Sequence, residues 1–377
     1  MENVEEQIES KPKKKKRVVL RIIVFVLIAA ITGGGVSVIM NMIPRMGTTA
    51  AIEVVENPNA AIRVEASEEH YIFELSDNVT RTHVYYNNRF GIEMAADLYM
   101  AKDADMSKKY PAVVIGPPFG GVKEQGPGVY ANELAQRGFV VLAFDPAYHG
   151  YSGGYPRYTV STTMYAEDFS AAVDYIGVQG FVDRDKIAAL GICGSGGFAL
   201  SAAAMDPRIK VVVTSVMYDI AGNMNANEGA MRDMMLSQGA NARWESFVSG
   251  QFDYMKSYPD EPTEDIPVGL DETNAEFYSF YGTSRGWHPN ALGNMNMVSV
   301  GDIMTFPSNE HIAEIGRPIL FIAGENAHSL GYSQTAYDNA SDPKELYIVP
   351  GANHVDLYDQ VDKIPFDKIE DFLNTNL

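Results

Sequence analysis

From residue 81 to the end of the chain, two hydrophobic rhythms alternate. Short apolar runs such as "YPAVVIGPP", "VVLAFDP", "KIAALGIC" and "IKVVVTSVM" have the length and composition of buried strands. Between them lie segments with helical spacing: "VYANELAQRGF", closed by a glycine, the amphipathic "TMYAEDFSAAVDYIGVQ" and the small-residue "GFALSAAAM". Upstream, "THVYYNN" and "IEMAADLYMA" flank a short Asn/Gly-containing turn and predict a hairpin. Strand and helix alternate again at "RPILFIAGE", "SQTAYDNA", "ELYIVPG" and "KIEDFLNTN". Strands that are apolar throughout are buried on both faces, so the pattern predicts an α/β fold: a mostly parallel sheet with helices on both sides.

Residues from about 220 to 315 break this rhythm, being rich in Met, Asn and aromatics, with "YPDEPTEDIP" as a proline-bounded acidic loop. The stretch is too long for a plain connection and is expected to form a cap inserted in a domain spanning 81–377. Residues 44–80 are predicted as a linker, with "ENPNA" as a break.

The amino terminus has a different character. After "KPKKKKRVVLR" comes "IIVFVLIAAITGGGVSVIMNMI", residues 22–43, without a charge. At about 1.5 Å per helical residue this run spans a hydrocarbon core of roughly 30 Å. The cationic cluster before it predicts a single-pass membrane anchor, with residues 1–21 as a basic cytoplasmic tail and everything beyond the span extracytoplasmic. The rival is a cleaved signal peptide, but such peptides have apolar regions of only about 7–15 residues followed by a small-residue cleavage site.

Composition narrows the function. The net charge is -20; residues 1–21 carry seven Lys/Arg against four Glu, net +3, so the remainder carries -20 - 3 = -23. A phosphate backbone needs a basic face, so nucleic acid is not an expected partner. The single cysteine, Cys193, excludes an intrachain disulfide, and no Cys/His cluster has zinc spacing. No GxGxxG loop suggests a nucleotide, and neither a metal nor an organic cofactor is expected.

The candidate chemistry sits at "GICGSGG", residues 191–197. A nucleophile elbow is a strained strand-to-helix turn in which small residues two positions to either side let the backbone fold tightly. Gly191 and Ser195 flank Cys193 in this way, and Cys193 and Gly197 flank Ser195. An apolar strand precedes the turn and a small-residue helix follows, as the motif requires.

Here the sequence resembles the alpha/beta-hydrolase superfamily, specifically its dienelactone-hydrolase-like and X-prolyl-peptidase-like members. The likeness runs from about residue 80 to the end and is carried by "GPPFGGVKEQ", "AFDPAYHGYSGG", "VDRDKIAALGICGSGGF", "IAGENAHS" and "IVPGANHVDLYD". It implies a mostly parallel sheet of about eight strands. The register of "VDRDKIAALG" and the G-x-C-x-G-G turn of dienelactone hydrolases imply Cys193 as nucleophile, although Ser195 stands where the first later glycine would be. A thiolate outside the cytoplasm is prone to oxidation, which favours Ser195. Both stay open.

The superfamily's chain order implies that the base is His354, in "PGANHVDLY". His149 and His328 follow strands at the carboxyl edge of the sheet and are expected to line the substrate pocket. The position of the usual acid, three residues after Gly324, holds Ala327, so Glu325 on the same loop and Asp219 after "VVVTSVM" are the alternatives for orienting the imidazole. The oxyanion amides are expected from Gly194 or Gly196, according to the nucleophile, and from Phe119, since Pro117 and Pro118 have no N–H.

These features predict a membrane-anchored, extracytoplasmic hydrolase that cleaves an ester, thioester or lactone of a small acyl substrate through a covalent acyl-enzyme. A peptidase or acyltransferase would use the same elbow. A non-catalytic binding or scaffold protein on this fold is the rival from another class, suggested by Ala327.

Overall fold

The computed structural model describes residues 70–226, 228–306 and 308–377. The predicted tail, the anchor and the linker as far as residue 69 lie outside the described residues. Among those described, no helix is long and apolar enough to cross a membrane.

The chain opens with the hairpin of β1 (Val79–Asn87) and β2 (Glu93–Ala101), paired antiparallel from Val79 opposite Ala101 to Asn87 opposite Glu93. Then strands and helices alternate: β3 (Tyr110–Gly116), α1 (Gly126–Gln136), β4 (Val140–Phe144), α2 (Thr162–Gly177), β5 (Val182–Ile192), α3 (Gly194–Met205) and β6 (Val211–Ser215). The next segment holds α4 (Ile220–Ala226), α5 (Glu228–Ser249), β7 (Tyr254–Met255), α6 (Glu272–Tyr281), β8 (Met295–Asn296) and α7 (Val300–Met304). The alternation closes with β9 (Ile319–Gly324), α8 (Leu330–Asn339), β10 (Lys344–Val349), the single turn α9 (Asp356–Asp359) and α10 (Phe366–Asn376).

Eight strands form one sheet in the order β1-β2-β4-β3-β5-β6-β9-β10. Only β2 runs against its neighbours. The uniform apolarity of the inner strands has its cause in the packing on both faces. Ala112 and Val114 of β3 join Phe169 of α2 and Phe198 of α3 in one core, whereas Val113 and Ile115 join Leu134 of α1 and Leu373 of α10 in the other. Each side chain of a central strand is thus withdrawn from water, whichever way it points.

Helices α1 and α3 lie on opposite faces, so the loops leaving the carboxyl ends of the adjacent strands β3 and β5 part from each other. Open parallel sheets place their binding crevices at such a divergence. The segment between β6 and β9 covers this edge: Tyr258 and Phe277 border the same cavity as Cys193. Helix α6 starts where the Asp271 carboxylate accepts the Asn274 N–H at 2.9 Å, a side-chain cap for an otherwise unsatisfied donor.

Candidate active site

Strand β5 runs straight into α3, and the whole change of direction falls on Cys193, with φ 56° and ψ -122°. A positive φ is costly for a residue with a Cβ and is kept only where the surroundings enforce it. The flanking positions show how it is enforced. A Cβ on Gly191 would lie 2.0 Å from the Ser195 carbonyl oxygen, so only glycine admits the turn. Ser195 lies one step inside α3, and its hydroxyl donates to the Pro117 carbonyl, away from the cavity. Of the two elbow candidates, Cys193 therefore holds the strained turn, and Ser195 ties the turn to the loop after β3.

That loop returns the favour at the thiol. The backbone N–H groups of Phe119 and Gly194 are both directed at Cys193 Sγ. Gly194 lets them approach, since a Cβ there would lie 3.0 Å from Phe119 Cβ. The Gly196 N–H is used elsewhere, donating to the Cys193 carbonyl at 2.9 Å. The expected pair of amides is thus Phe119 and Gly194, not Gly196. Burial nevertheless pushes the thiol up to about 11, because desolvation of the thiolate outweighs the donors around it.

His354, fully buried, sits just before α9. Its Nε2 is 2.9 Å from the Tyr358 hydroxyl and its Nδ1 is 2.6 Å from Ser329 Oγ. Tyr358 is four residues further on and also interacts with the Cys193 thiol. Burial, and then the neighbouring His328, hold the His354 imidazole well below its ordinary range. Cys193 and His354 are accordingly both neutral near pH 7.

Neither expected acid reaches this histidine. Glu325 is exposed and accepts the Gly351 N–H at 2.8 Å. Asp219 accepts from Gly222 N–H at 2.9 Å and from the Asn309 side chain at 3.2 Å. Ser329, at the start of α8, has the place at Nδ1 instead. The nearest carboxylate connection runs through His328, whose ring stacks on His354 with centroids 4.6 Å apart and whose Nδ1 is 3.1 Å from Glu276 Oε2 of α6. Glu276 Oε1 also accepts the Val355 N–H at 2.9 Å, so α6 clasps the histidine loop directly.

Beside Cys193 is a cavity of about 340 Å³. Its wall is mostly aromatic and aliphatic, including Phe119, Tyr218, Tyr258, Phe277, Met295 and Tyr358, with Asn223, Ser257 and Asn274 as polar handles. No charged side chain is among the described residues that border it. His328 and His149 are not among them either. His149 is buried, with Nδ1 3.0 Å from the Ala147 carbonyl and Nε2 3.4 Å from the Tyr165 hydroxyl, and burial pushes it down to about 4.

Sequence reasoning missed Ser329, Tyr358 and Glu276. The first two had a local signal, because Ser329 follows the "GENAH" loop and Tyr358 is one helical turn after His354. Glu276 had none, since its contact joins residues 79 apart in the chain.

The X-Pro dipeptidyl-peptidase (S15 family) model matches residues 91–261. The uncharacterized protein PA2218 of Pseudomonas aeruginosa is 46% identical over 314 residues, covering 81% of this chain and 83% of that one. Its crystal structure superposes with a TM-score of 0.78 at 45% identity, over 84% of this chain and 99% of that one. The uncharacterized Escherichia coli protein YcjY is 35% identical over 72% of this chain and 90% of its own. A thiohydrolase of Eupenicillium brefeldianum is 24% identical over 75% of this chain and 90% of its own. With its eight-stranded sheet and its elbow, the chain belongs to the alpha/beta-hydrolase superfamily, in one family with PA2218 and YcjY, and its residues 91–261 are similar to the X-Pro dipeptidyl-peptidase (S15) model.

Proposed function

We propose that the protein hydrolyses an ester or thioester of an uncharged, largely apolar acyl group, through an acyl-enzyme on Cys193. The observation that carries this reading is the strained turn at Cys193, whose thiol faces two backbone amides and opens onto the cavity. Attack by sulfur on a carbonyl carbon puts negative charge on the carbonyl oxygen, and donors fixed beforehand near the thiol stabilise that charge without reorganising. His354 is the base, Ser329 orients its ring, and water then releases the acid.

The cavity wall favours an acyl substrate over the peptide substrate of the family's namesake activity. A dipeptide leaving from a free amino terminus brings an ammonium group, and no carboxylate is among the described residues that border the cavity to pair with it. Burying an unpaired charge costs several kcal/mol, on the order of the binding energy available to a small ligand. The thiohydrolase among the relatives agrees with a thioester or ester substrate. The amino-terminal anchor and an extracytoplasmic domain are part of the same proposal, supported by the charge pattern of residues 12–43.

The test is hydrolysis of p-nitrophenyl butyrate, butyryl-pantetheine and an Ala-Pro-p-nitroanilide by the full chain. Turnover of the first two and not the third supports the reading. Turnover of the anilide alone would make the protein a dipeptidyl peptidase, and none with any of them, together with no acyl adduct, would favour a binding protein.

A further inference from the structure

The cavity wall includes Cys193 and Tyr358, but His354 is not among the described residues that border it. The imidazole stands behind the phenol, with Nε2 2.9 Å from the Tyr358 hydroxyl, and that hydroxyl interacts with the thiol. In the arrangement known for nucleophile–histidine pairs the base bonds the nucleophile directly. Here a second hydroxyl is interposed.

We propose that Tyr358 is a catalytic residue that relays the Cys193 proton to His354. This rests on the acyl-transfer reading of the site. The orientation of the ring suits it: Nδ1–H donating to Ser329 Oγ leaves the Nε2 lone pair free to accept from the Tyr358 hydroxyl. As Sγ bonds to the substrate carbonyl carbon, the thiol proton passes to the Tyr358 oxygen while the Tyr358 proton passes to Nε2. The phenol stays neutral at the beginning and the end of the step, and the imidazolium holds the proton. Collapse of the oxyanion breaks the bond to the leaving group, which takes a proton back by the same path. For deacylation, water takes the place that the leaving group vacated and loses its proton through the same hydroxyl as its oxygen bonds to the acyl carbon; collapse of the oxyanion then breaks the C–S bond, and Cys193 takes the proton back.

The surroundings keep the relay intact. Tyr358 is fully buried, packed edge-on against Phe280 at 5.1 Å and against His354 at 5.3 Å between ring centroids. Its backbone N–H donates to the Val355 carbonyl at 3.1 Å, so one turn of helix sets the spacing between imidazole and phenol. Its hydroxyl also meets the hydroxyl of Tyr281, which burial holds neutral, well above the ordinary tyrosine range.

The experiment compares the full chain as wild type, Tyr358→Phe, His354→Ala and Cys193→Ala on p-nitrophenyl butyrate, with circular dichroism to establish folding. Removing the hydroxyl alone is expected to lower kcat at least about 100-fold, within the range contributed by a positioned general base, with KM within about threefold. The wild-type proton inventory in mixed H2O and D2O is expected to curve, as two protons move in one step. In a second variant, 3,5-difluorotyrosine at position 358 is expected to shift the pH–rate profile, which a packing residue would leave in place. A Tyr358→Phe enzyme within about threefold of wild type in kcat, or a linear wild-type inventory with an unshifted fluorotyrosine profile, overturns the relay. If His354→Ala and Cys193→Ala still abolish turnover in that case, the acyl-enzyme reading survives and only the relay falls. If they do not, the functional reading itself has failed.

Discussion

His354 Nδ1 lies 2.6 Å from Ser329 Oγ, at the place where a hydrolase triad holds a carboxylate. The difference is electrostatic. A carboxylate stabilises the imidazolium that forms during proton transfer, whereas a serine hydroxyl orients the ring and adds no charge. Ser329→Ala is expected to lower kcat about tenfold, the equivalent of one hydrogen bond of roughly 1.4 kcal/mol, with KM unchanged. A loss of several thousandfold would give the serine a larger part than orientation.

The pH behaviour of the thiol follows from its burial. Raised from an ordinary value of 9.0 to about 11, Cys193 is a thiolate in only about one molecule in 10⁴ at pH 7. Its alkylation by iodoacetamide is expected to rise about tenfold per pH unit from 7 towards 11. A plateau already reached below pH 7 would mean a thiolate–imidazolium pair at rest and contradict the neutral site. The same burial answers the objection that a thiol outside the cytoplasm is vulnerable, because the neutral form resists oxidation.

The acid limb of kcat/KM moves in the opposite direction. His354 must be unprotonated to accept a proton, and burial together with His328 holds it well below 6.5. The base therefore stays competent as the pH falls through 6.5, and activity is expected to persist to lower pH than for a free imidazole. A steady-state profile on a neutral ester, over a range in which the fold is stable by circular dichroism, measures it.

The clasp between α6 and the histidine loop gives a structural prediction. Beside the Glu276 contact, Arg285, four residues past the end of α6, donates to both Asp359 carboxylate oxygens, at 2.6 and 2.8 Å, and to the Val355 carbonyl at 3.0 Å. Its side chain is about a quarter exposed, so solvent screens part of the attraction. Arg285→Ala is expected to cost about 1–3 kcal/mol in chemical denaturation and to speed hydrogen exchange in α6 and α9. Unchanged exchange in both helices would show that the clasp does not hold them.

The Phe119 loop rests on a second buried cluster. Lys123 pairs with Glu124 and lies 3.8 Å from Asp97 and 3.9 Å from Asp145, all nearly inaccessible to water. Its own N–H donates to Asp145 Oδ1 at 2.8 Å, fixing the backbone just after the Phe119 amide. Replacing Lys123 by Met removes the cation shared by three buried carboxylates, leaving Asp97 the Tyr71 hydroxyl at 2.6 Å and Asp145 the Tyr151 N–H at 2.8 Å, and is expected to destabilise the fold by about 3–5 kcal/mol in urea denaturation. A neutral or stabilising effect would contradict this.

Most of the sheet was legible because its signal is local. Apolar runs such as "VVLAF" and "VVVTS" become β4 and β6 with every residue buried, and the glycine-bounded hairpin pairs in register. The elbow too was legible as a turn, but its two candidates shared the same spacing. They separate only in three dimensions, where Gly191 meets the backbone of Ser195 and the Ser195 hydroxyl turns to Pro117. The partners of His354 were less accessible to sequence reasoning. Chain order points to a carboxylate, whereas the hydroxyl of Ser329 and the reach of Glu276 from the cap come from segments 25 and 79 residues away, and that of Tyr358 from the next helical turn. The aromatic richness of the cap was visible in the sequence, but whether its rings line a pocket or pack a core was not: Phe277 and Tyr281 border the cavity, whereas Phe280 is buried in the core.

The central claim is covalent chemistry at Cys193, and trapping the acyl-enzyme tests it most directly. The full chain would be acid-quenched during turnover of a slowly hydrolysed p-nitrophenyl ester, digested, and the acyl mass located by fragment ions in wild type, Cys193→Ala and Ser195→Ala. The expected result is an adduct on Cys193, removed by neutral hydroxylamine as a thioester is, present in Ser195→Ala and absent from Cys193→Ala. An adduct on Ser195, or one that persists in Cys193→Ala, would contradict the account.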